Sequence, residues 1–288
     1  MNAIDDELAA LAEAWIGRRE ETHDVCAVPL VRRVAALLNR DPMAYADGDP
    51  LPAGWQMCVF TPLTLSADLR ADGHALHDPM MPPAPLPRRM LGGRRLYYHA
   101  PVIIGDALRR VSEVVAIVPK TGRSGRLVVV TVRHSIYRDG VSEPAIVEEQ
   151  DSIFREEAAA DGAPKPPPAA APPPGAPDFH DDVVTDPTML FRYSAICFNT
   201  HRIHYDMPYA TGDEGYPGLI VNGGLTALLL VDLLERSTGR QPASIAARNW
   251  GAVICGRPIR LCGMATDTGW TLWVQDETPN VLLEVKAT

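Results

Sequence analysis

Apolar and β-branched residues recur in short runs in two stretches of the chain, and turn residues separate the runs. The first stretch covers residues 94–155 and the second covers residues 243–288, with four strand-like segments in each. Glycine-containing turns such as "KTGRSG" and "RDGVS" connect segments of the first stretch. The pattern therefore predicts an antiparallel β meander in each half of the chain.

Residues 223–239, "GGLTALLLVDLLERSTG", form the strongest predicted helix, which is apolar on nearly every face and ends with a glycine. A helix that is apolar all round is a buried helix. At the N-terminus, Ile4, Leu8, Leu11 and Trp15 recur at helical spacing and predict a surface helix. We therefore predict an α+β double hot-dog fold, with two fused antiparallel sheets of which the C-terminal one wraps the long central helix.

A run rich in proline and alanine, "APKPPPAAAPPPGAP" at residues 163–177, separates the two halves. Such a run cannot join a sheet ladder or a helix interior, and it is typical of a stiff, extended spacer. We therefore predict an N-terminal unit with a helical extension over residues 1–157, a linker over 158–181 and a catalytic C-terminal unit over 182–288. Prolines also interrupt residues 71–91, so we expect a ligand-covering loop where the second unit has its central helix.

The two halves also share a weak internal similarity, "APVIIGD" at residues 100–106 against "RPIRLCG" at residues 257–263. Two units of the same architecture would leave such a trace in the sequence. A match this short also arises readily by chance, so it supports the duplication only weakly.

Charge and cysteine content narrow the class of function. The formal net charge of -9 disfavours a nucleic-acid binder, because phosphate neutralisation needs clustered Lys and Arg. The five cysteines include no C-x-x-C pair for zinc or redox work. No apolar run reaches the roughly 20 residues of a membrane span, and the acidic N-terminus is unlike a signal peptide. We therefore expect a soluble, cytoplasmic protein without nucleic-acid or membrane partners.

The candidate chemistry is concentrated in "FRYSAICFNTHRIHYD", residues 191–206. Asn199 and His204 are spaced so that they cannot share one helical face, and a turn or loop must bring them together. A histidine can transfer a proton near neutral pH, whereas an asparagine can only orient water or substrate. We therefore predict that His204 and Asn199 are the catalytic residues.

Gly223 and Gly224 lie at the N-terminus of the predicted buried helix. Unpaired N–H groups there point outward at the positive end of the helix dipole, and glycine lets a substrate oxygen approach closely. This arrangement predicts an oxyanion-binding site, with Asn222 and Tyr193 as further substrate-binding candidates. A tight strand-to-helix connection without any ligand is the alternative explanation of the glycine pair.

The pattern "FNTHRIHYDMPYA" followed by "EGYPGLIVNGG" resembles the MaoC-like double hot-dog superfamily of (R)-specific enoyl-thioester hydratases and dehydratases. The sequence is most similar to the type 2 hydroxyacyl-thioester dehydratases and to the mesaconyl-C4-CoA and itaconyl-CoA hydratases, over roughly residues 50–288. The resemblance implies reversible syn hydration of an α,β-unsaturated acyl thioester. Coenzyme A or an acyl carrier would then be part of the substrate, and no separate cofactor is expected. The resemblance also places His204 at the position of the family's catalytic histidine, and Asn199 where the wider superfamily has aspartate.

Two positions depart from the family pattern. The family usually has histidine where this chain has Asn222, and it often has proline where this chain has Gly224. These differences leave the acyl substrate and turnover itself open. An acyl-CoA thioesterase and a non-catalytic acyl-thioester-binding subunit therefore stay as alternative functions. A chain with two units can form within itself the pair that single units form as dimers, so we expect a monomer or a small homo-oligomer.

Two further groups of residues are candidates for binding. Guanidinium forks match phosphate oxygens, so the phosphates of coenzyme A are candidate ligands of four arginines: Arg88, Arg89, Arg94 and Arg95. A solvated strand edge is the alternative for this run. His201, His204 and Asp206 form H-x-x-H-x-D, which is compatible with a two-histidine, one-carboxylate metal site. Because no second ligand cluster accompanies this motif, we predict no metal site.

Overall fold

The computed structural model of the chain describes residues 3–86, 88–122, 125–155, 171–278 and 280–288. In these ranges the α-helices are α1 Ala3–Trp15, α2 Val28–Leu37, α3 Pro187–Cys197 and α4 Gly223–Thr238. The strands are β1 Arg19–Val25, β2 Arg88–Tyr98, β3 Ala107–Gly122, β4 Gly125–Arg138, β5 Ile146–Arg155, β6 Phe179–Val184, β7 Ser244–Asn249, β8 Pro258–Thr266, β9 Gly269–Gln275 and β10 Val281–Ala287. Short 3-10 turns lie at Pro42–Ala44, Trp55–Cys58, Ser66–Asp68 and Arg202–His204, and a single π turn lies at Tyr209–Asp213.

All strands join one ten-stranded antiparallel sheet in the order β1-β3-β4-β5-β2-β7-β10-β9-β8-β6. Strands β2 and β7 lie at the centre and connect the two halves, with Gly93 opposite Arg248 and Tyr97 opposite Ser244. The two predicted sheets are therefore fused edge to edge. Both meanders form as predicted, and the α+β double hot-dog fold is confirmed.

The two halves of the sheet repeat one architecture. Counted inward from the edges, strands β1, β3, β4, β5 and β2 take the same places as β6, β8, β9, β10 and β7. The segments "PVIIGDALR" at 101–109 and "AVICGRPIR" at 252–260 occupy equivalent places, since each enters an equivalent strand, β3 or β8. Each contains a glycine with positive φ, Gly105 at +99° and Gly256 at +82°. The internal similarity expected from the sequence is therefore real, but the alignment to residues 257–263 was wrong, and the true repeat begins before them.

Helix α4 is the central helix of the second half. Its side chains from Leu225 to Leu234 are almost all buried, and Gly239 ends it in the left-handed conformation at φ +70°. The one buried charge among them, Asp232, pairs with Arg40 at 2.6 Å and with Arg236 at 2.8 Å. The sheet therefore packs on a continuous apolar helix, as predicted.

The first half has only a 3-10 turn, Trp55–Cys58, where the second half has α4. Pro50 and Ile220 form equivalent bridges, to Ile103 and Ile254 respectively, which aligns "PLPAGWQMC" with "IVNGGLTAL". After the turn, the chain becomes extended and reaches a proline at position 62, which cannot continue a helix. Within the described residues the first half lacks a central helix, as expected, but its equivalent place is Trp55–Cys58, so the expected position at residues 71–91 was wrong.

The elements that the sequence pattern missed are strands β1 and β6 and helices α2 and α3. Strands β1 and β6 are the two edges of the sheet, and residues along them alternate between exposed and partly buried. Edge strands carry charged residues, which weakens the hydrophobic signal of a strand. Strand β6 begins at Phe179, so the assignment of residues 179–181 to the linker was wrong.

The structure describes part of the N-terminal segment and part of the proline-rich spacer. Helix α1 forms at the N-terminus as predicted, and its Leu8 is buried. Of the proline-rich spacer, residues 163–170 lie outside the described ranges. Its described end pairs with the C-terminal sheet through a bridge between Ala171 and Val281. None of the helices in the described ranges is long and apolar enough to cross a membrane.

Candidate active site

The loop that follows helix α3, residues 198–206, contains both predicted catalytic residues, and we name it the catalytic loop after them. Phe198 ends α3 in the left-handed conformation at φ +52°, and the chain then forms the 3-10 turn Arg202–His204. The backbone of Ile203 pairs with that of Ile220, which lies just before the start of α4. The loop expected from the spacing of Asn199 and His204 is therefore present, and it lies beside the start of α4.

His204 is buried, and its Nδ1 lies 2.7 Å from the carbonyl oxygen of Ile220. A carbonyl oxygen can only accept, so Nδ1 donates and Nε2 carries the free lone pair. Burial lowers the pKa of His204 below 6.5, the charge of the nearby His74 lowers it further, and the bond to Ile220 partly opposes this shift. His204 is therefore a neutral imidazole at neutral pH, able to accept a proton at Nε2.

The N–H groups at the start of α4 are free in the part of the chain that the structure describes. Asn222 occupies the N-cap position, but its side chain caps none of these groups. Its Nδ2 lies 3.4 Å from the hydroxyl of Ser194, and its buried Oδ1 has no hydrogen-bond partner. The helix start therefore offers donors from Gly223 and Gly224 and one unsatisfied acceptor from Asn222.

Tyr193 lies against the second glycine of this helix start. A Cβ on Gly224 would lie 2.2 Å from the hydroxyl oxygen of Tyr193, whereas a Cβ on Gly223 would lie 3.5 Å from Oδ1 of Asn249. Glycine is therefore required at position 224 for close approach of the phenol. Burial raises the pKa of Tyr193 well above 10, so the phenol is neutral and can donate a hydrogen bond.

Asn199 makes a local turn within the catalytic loop. Its Oδ1 accepts a hydrogen bond from the backbone N–H of His201 at 2.9 Å. One lone pair of Oδ1 and the Nδ2 group remain available for water or substrate. The structure thus gives Asn199 a fixed orientation in the same loop as His204.

His74, which no sequence pattern singled out, approaches the site from the first half of the chain. Its ring centroid lies 4.1 Å from that of His201, which in turn lies 5.5 Å from that of His204. Burial is the main cause that lowers the pKa of His201 to about 3, so this ring is neutral. His74 belongs to a segment that we name the cover hairpin, residues 69–75, closed by a bridge between Leu69 and Ala75.

The cover hairpin holds the catalytic loop through backbone contacts. Thr200 donates from its hydroxyl to the carbonyl of Gly73 at 2.5 Å, and the N–H of Arg202 donates to the carbonyl of Asp72 at 2.9 Å. A guanidinium nitrogen of Arg202 also donates to the carbonyl of Ala71 at 2.8 Å. The expectation that this segment covers the site is therefore supported by direct contacts.

The H-x-x-H-x-D motif does not converge on one point. The carboxylate of Asp206 accepts from Arg202 at 2.8 Å and from the backbone N–H of Tyr209 at 3.1 Å. Across the described residues, no group of three or more His, Cys, Asp or Glu side chains is placed to hold a metal ion. Asp206 thus shapes the loop.

Of the four arginines proposed for phosphate binding, the three with described side chains do not lie together. Arg94 and Arg95 are neighbours on β2 and point to opposite faces, where Arg94 pairs with Glu148 and Arg95 with Asp151. Arg89 lies 3.6 Å from a carboxylate oxygen of Asp78, and the side chain of Arg88 lies outside the described residues. Arg94 and Arg95 therefore cannot belong to one phosphate-binding patch, and a role for any one of the four stays a prediction.

The chain is similar to characterised proteins along nearly its whole length. The family model of hydroxyacyl-thioester dehydratase type 2 matches residues 54–255. Mesaconyl-C(4)-CoA hydratase of Chloroflexus aurantiacus is 39% identical over 279 residues, which are 96% of this chain and 96% of that protein. The mitochondrial hydroxyacyl-thioester dehydratase type 2 of Schizosaccharomyces pombe is 36% identical over 101 residues, which are 33% of this chain and 32% of that protein.

Solved structures share the architecture at low sequence identity. HtdX of Mycobacterium tuberculosis has a TM-score of 0.64 at 16% identity, with 94% of this chain and 99% of that chain covered. A MaoC-like dehydratase from Phytophthora capsici has a TM-score of 0.67 at 16% identity, with 97% and 98% covered. A further M. tuberculosis protein, described as a double hotdog fold, has a TM-score of 0.58 at 13% identity, with 94% and 95% covered. These similarities show the fold.

Proposed function

Because the chain belongs to the hydroxyacyl-thioester dehydratase type 2 family and is a hydro-lyase, we propose its substrate and the roles of its residues. The substrate is a short, carboxylated enoyl-CoA of the mesaconyl-C4-CoA or itaconyl-CoA type, which the enzyme hydrates reversibly. The full-length similarity to a mesaconyl-C(4)-CoA hydratase at 39% identity supports this choice.

The observation that carries the proposal is the geometry of His204 beside the start of α4. Its Nδ1 donates to Ile220, which leaves Nε2 as a buried, neutral base. The segment from Ile220 leads directly into Gly223 and Gly224, whose N–H groups are free to bind an oxygen. A base and an oxyanion site are the two groups that addition of water to an enoyl thioester requires.

In the direction of hydration, Nε2 of His204 accepts a proton from a water molecule as the water oxygen attacks the β-carbon. Asn199 holds this water through Nδ2 or the free lone pair of Oδ1. The electrons of the carbon–carbon double bond move toward the thioester carbonyl, whose developing charge is stabilised by the N–H groups of Gly223 and Gly224. The protonated His204 then gives its proton to the α-carbon on the same face, which completes syn addition and yields a 3-hydroxyacyl thioester.

Asn222 and Tyr193 complete the walls of this site. The unsatisfied Oδ1 of Asn222 is a buried acceptor, and buried acceptors without a donor are costly, so it is suited to a donor on the substrate or on a bound water. The neutral phenol of Tyr193 supplies a donor near Gly224. Asn222 therefore takes part in binding, although the family more often has histidine at this position.

The proposal is tested by incubating the wild type, His204→Ala and Asn199→Ala with crotonyl-CoA, mesaconyl-C4-CoA and itaconyl-CoA. Mass spectrometry measures the gain of one water in each acyl-CoA. We expect the wild type to prefer a carboxylated substrate, and we expect His204→Ala to lose at least about 100-fold in rate, as is typical for removal of a general base. His180→Ala, at an exposed position on edge strand β6, is the matched control.

Each other result has a defined meaning. Hydration that survives in His204→Ala contradicts the assignment of the base. Release of free coenzyme A without hydration indicates a thioesterase. Binding of every acyl-CoA without any chemical change in the wild type contradicts the proposed reaction.

A further inference from the structure

A group of polar side chains lies on the inner face of the N-terminal half of the sheet, where a hydrophobic core is expected. Residues that pair directly across strands share a face, as do alternate residues along one strand. The register pairs Thr22 with Arg110, Ser112 with His134, His134 with Glu148 and Gln150 with Arg94. We name this group the inner polar cluster: Thr22, Arg94, Arg110, Ser112, His134, Glu148 and Gln150.

Apolar residues flank the inner polar cluster on both sides. Leu96, Leu108, Ile136 and Ile146 lie on the same face toward the main core, and all four are buried. On the other side lies a second buried group, which includes Val114, Val130, Val132 and Phe154. The cluster is therefore a polar band inside an otherwise apolar concave surface, and its members need partners there.

Arg110 lacks such a partner. One of its terminal nitrogens donates to the carbonyl of Phe60 at 3.3 Å, and its guanidinium lies 4.8 Å from the centre of the Phe60 ring. Its Nε is buried without a hydrogen-bond acceptor, and it forms no ion pair with any residue in the described ranges. A half-buried guanidinium without a carboxylate is an open site for an anion, because arginine stays charged in proteins.

Arg94 is only partly satisfied. Its Nε lies 2.9 Å from a carboxylate oxygen of Glu148, but the orientation does not make a hydrogen bond, and Nε is left without an acceptor. A terminal nitrogen donates to Gln150 at 3.1 Å. The hydroxyl of Thr22, opposite Arg110 in the register, is also buried and unpaired. Unsatisfied polar atoms are thus concentrated in the inner polar cluster.

The carboxylates around Arg110 are either engaged elsewhere or out of ion-pair range. Glu148 pairs with Arg94, and Asp78 lies near Arg89. Asp24 accepts from the backbone N–H groups of Val25 and Phe60. Burial lowers the pKa of Arg110, and the charges of these groups and of Glu20 only partly oppose this shift from a longer range.

His134 adds no positive charge to the cluster at neutral pH. Its Nδ1 lies 2.8 Å from the hydroxyl of Ser112, and burial lowers its pKa to about 4. The arginines are therefore the cationic groups of the inner polar cluster, and a ligand anion would bind to their guanidinium groups.

The inner polar cluster is continuous with the candidate active site. Arg94 lies opposite Ala247 of β7 in the register, and Asn249, two residues further along the same face of β7, lies beside Gly223 at the start of α4. The charge of Arg94 also acts on Tyr193, whose phenol lies against the same helix start. Arg94 therefore lies on the same inner face of the sheet as the groups beside the start of α4. An acyl group whose carbonyl lies at the helix start can extend past Tyr193 toward Arg94.

We propose that Arg94 and Arg110 bind the free carboxylate of the acyl group and so determine the specificity of the enzyme for half-thioesters of dicarboxylic acids. This inference rests on the proposed hydration of a carboxylated enoyl-CoA. In a mesaconyl C4 thioester the carboxylate is attached to the β-carbon, which is the carbon that water attacks. Binding of this carboxylate would fix the β-carbon relative to His204, and the polar band would disfavour a long aliphatic acyl chain.

The test compares two acyl groups that differ only in the carboxylate. Mesaconyl-C4-CoA and 3-methylcrotonyl-CoA have the same branched skeleton, with a carboxylate in the first and a methyl group in the second. We expect Arg94→Met and Arg110→Met to lower kcat/KM for mesaconyl-C4-CoA about 100-fold, as when one member of a buried charge pair is truncated. We expect the rate with 3-methylcrotonyl-CoA to be unchanged or increased.

Arg109→Met is the matched control, because Arg109 is the neighbour of Arg110 on β3 but points to the opposite face and pairs with Glu21. We expect this variant to behave as the wild type with both substrates. Arg94→Lys and Arg110→Lys keep the charge, and circular dichroism checks that every variant folds. If a methionine variant fails to fold, the lysine variant replaces it, and an intermediate loss confined to the carboxylated substrate supports the proposal.

The results separate this inference from the proposed function. If the wild type hydrates neither acyl group nor crotonyl-CoA, the proposed function itself fails. If the wild type hydrates both acyl groups equally, recognition of the carboxylate is excluded. If folded methionine variants lose both activities to the same extent, the arginines have a structural role and the inference is wrong.

Discussion

At the scale of single residues, the proposed reaction depends on the protonation state of His204, which sets the direction of the first proton transfer. The bond from Nδ1 to Ile220 fixes the tautomer, and burial disfavours the charged ring. A protonated imidazole has no lone pair for water. The enzyme therefore needs the neutral form at the start of hydration.

This requirement predicts the pH dependence of hydration. Burial lowers the pKa of His204 below its usual 6.5, so the acidic limb of kcat/KM should have its midpoint below that value, and hydration should be unaffected at neutral pH. The measurement is kcat/KM for the best enoyl-CoA between about pH 4 and pH 8. Because the charge of His74 lowers the pKa of His204, His74→Asn should move the acidic limb to higher pH. An acidic limb with its midpoint above 6.5 in the wild type contradicts the assignment.

A second prediction concerns the contact between Gly224 and Tyr193. Gly224→Ala places a Cβ 2.2 Å from the phenol oxygen, so we expect it to lower the free energy of unfolding by about 1–3 kcal/mol. Denaturant titration measures this change. Tyr193→Phe leaves the ring carbon 3.3 Å from the new Cβ, so the double variant should recover part of the stability lost in Gly224→Ala.

Gly223→Ala is the control for this pair, since its Cβ would meet its nearest atom at an ordinary 3.5 Å. We expect its free energy of unfolding to change by less than about 1 kcal/mol. Equal destabilisation by the two alanines, or strictly additive effects of Gly224→Ala and Tyr193→Phe, would mean that the phenol does not press on the helix start.

The residues of the site differ in how visible they are in the sequence. His204, Asn199 and the two glycines stand out because they lie in one short segment and at a helix start. His74 could not be found in this way, because only tertiary structure brings it to the ring of His201, more than a hundred positions later in the chain. Likewise, Arg94 and Arg95 are adjacent in the sequence, but strand alternation places their side chains on opposite faces of the sheet, where each forms its own ion pair.

At the scale of elements, the cover hairpin is the support of the catalytic loop. Gly73 has φ +89°, and a Cβ there would lie 1.8 Å from the carbonyl oxygen of Thr200. Backbone atoms cannot move aside as the end of a flexible side chain can. Either the hairpin or the loop must shift if this position gains a side chain.

Gly73→Ala should therefore reduce activity by moving the catalytic loop. A displacement of about 1 Å can cost about 100-fold in rate, and we expect a loss of this order in kcat while the overall fold is kept. Gly48→Ala is the matched control, because Gly48 has φ +94° with no atom within 4 Å of its Cβ position. Both variants carry the backbone strain of alanine at positive φ, about 1 kcal/mol, so any difference in kcat reports the contact with Thr200. Equal activity of the two variants would show that the hairpin does not position the loop.

The elements themselves were predictable to the extent that their hydrophobic pattern was strong. The strands of both meanders and helix α4 were found because they are buried and regular. Helix α3 was missed although it carries a recognisable start, with Asp186 accepting from the N–H of Met189 and a proline at the next position. Its apolar residues do not lie on one face, since Phe191 is exposed whereas Leu190 and Ile196 are buried, so no amphipathic pattern marks the helix.

At the scale of the whole molecule, the two halves are equivalent in architecture but not in chemistry. The N–H groups of Ala53 and Gly54 correspond to those of Gly223 and Gly224. In the first half they are occupied, since Ala53 donates to the side chain of Gln241 at 2.7 Å and Gly54 donates to the hydroxyl of Tyr98 at 2.9 Å. The first half therefore has no free N–H pair at this position, and of the two equivalent places only the second offers free donors in the described residues.

The continuous sheet across β2 and β7 has a consequence for how such an enzyme can change. In a dimer of identical units, every substitution appears twice, so an improvement in one site is tied to its effect in the other. Here each half is encoded once, and a change on the inner face of the first half has no copy beside His204. Substrate range and chemical step can then be selected separately. A mutant library confined to the first half is accordingly the natural starting point for directing this scaffold to new acyl groups.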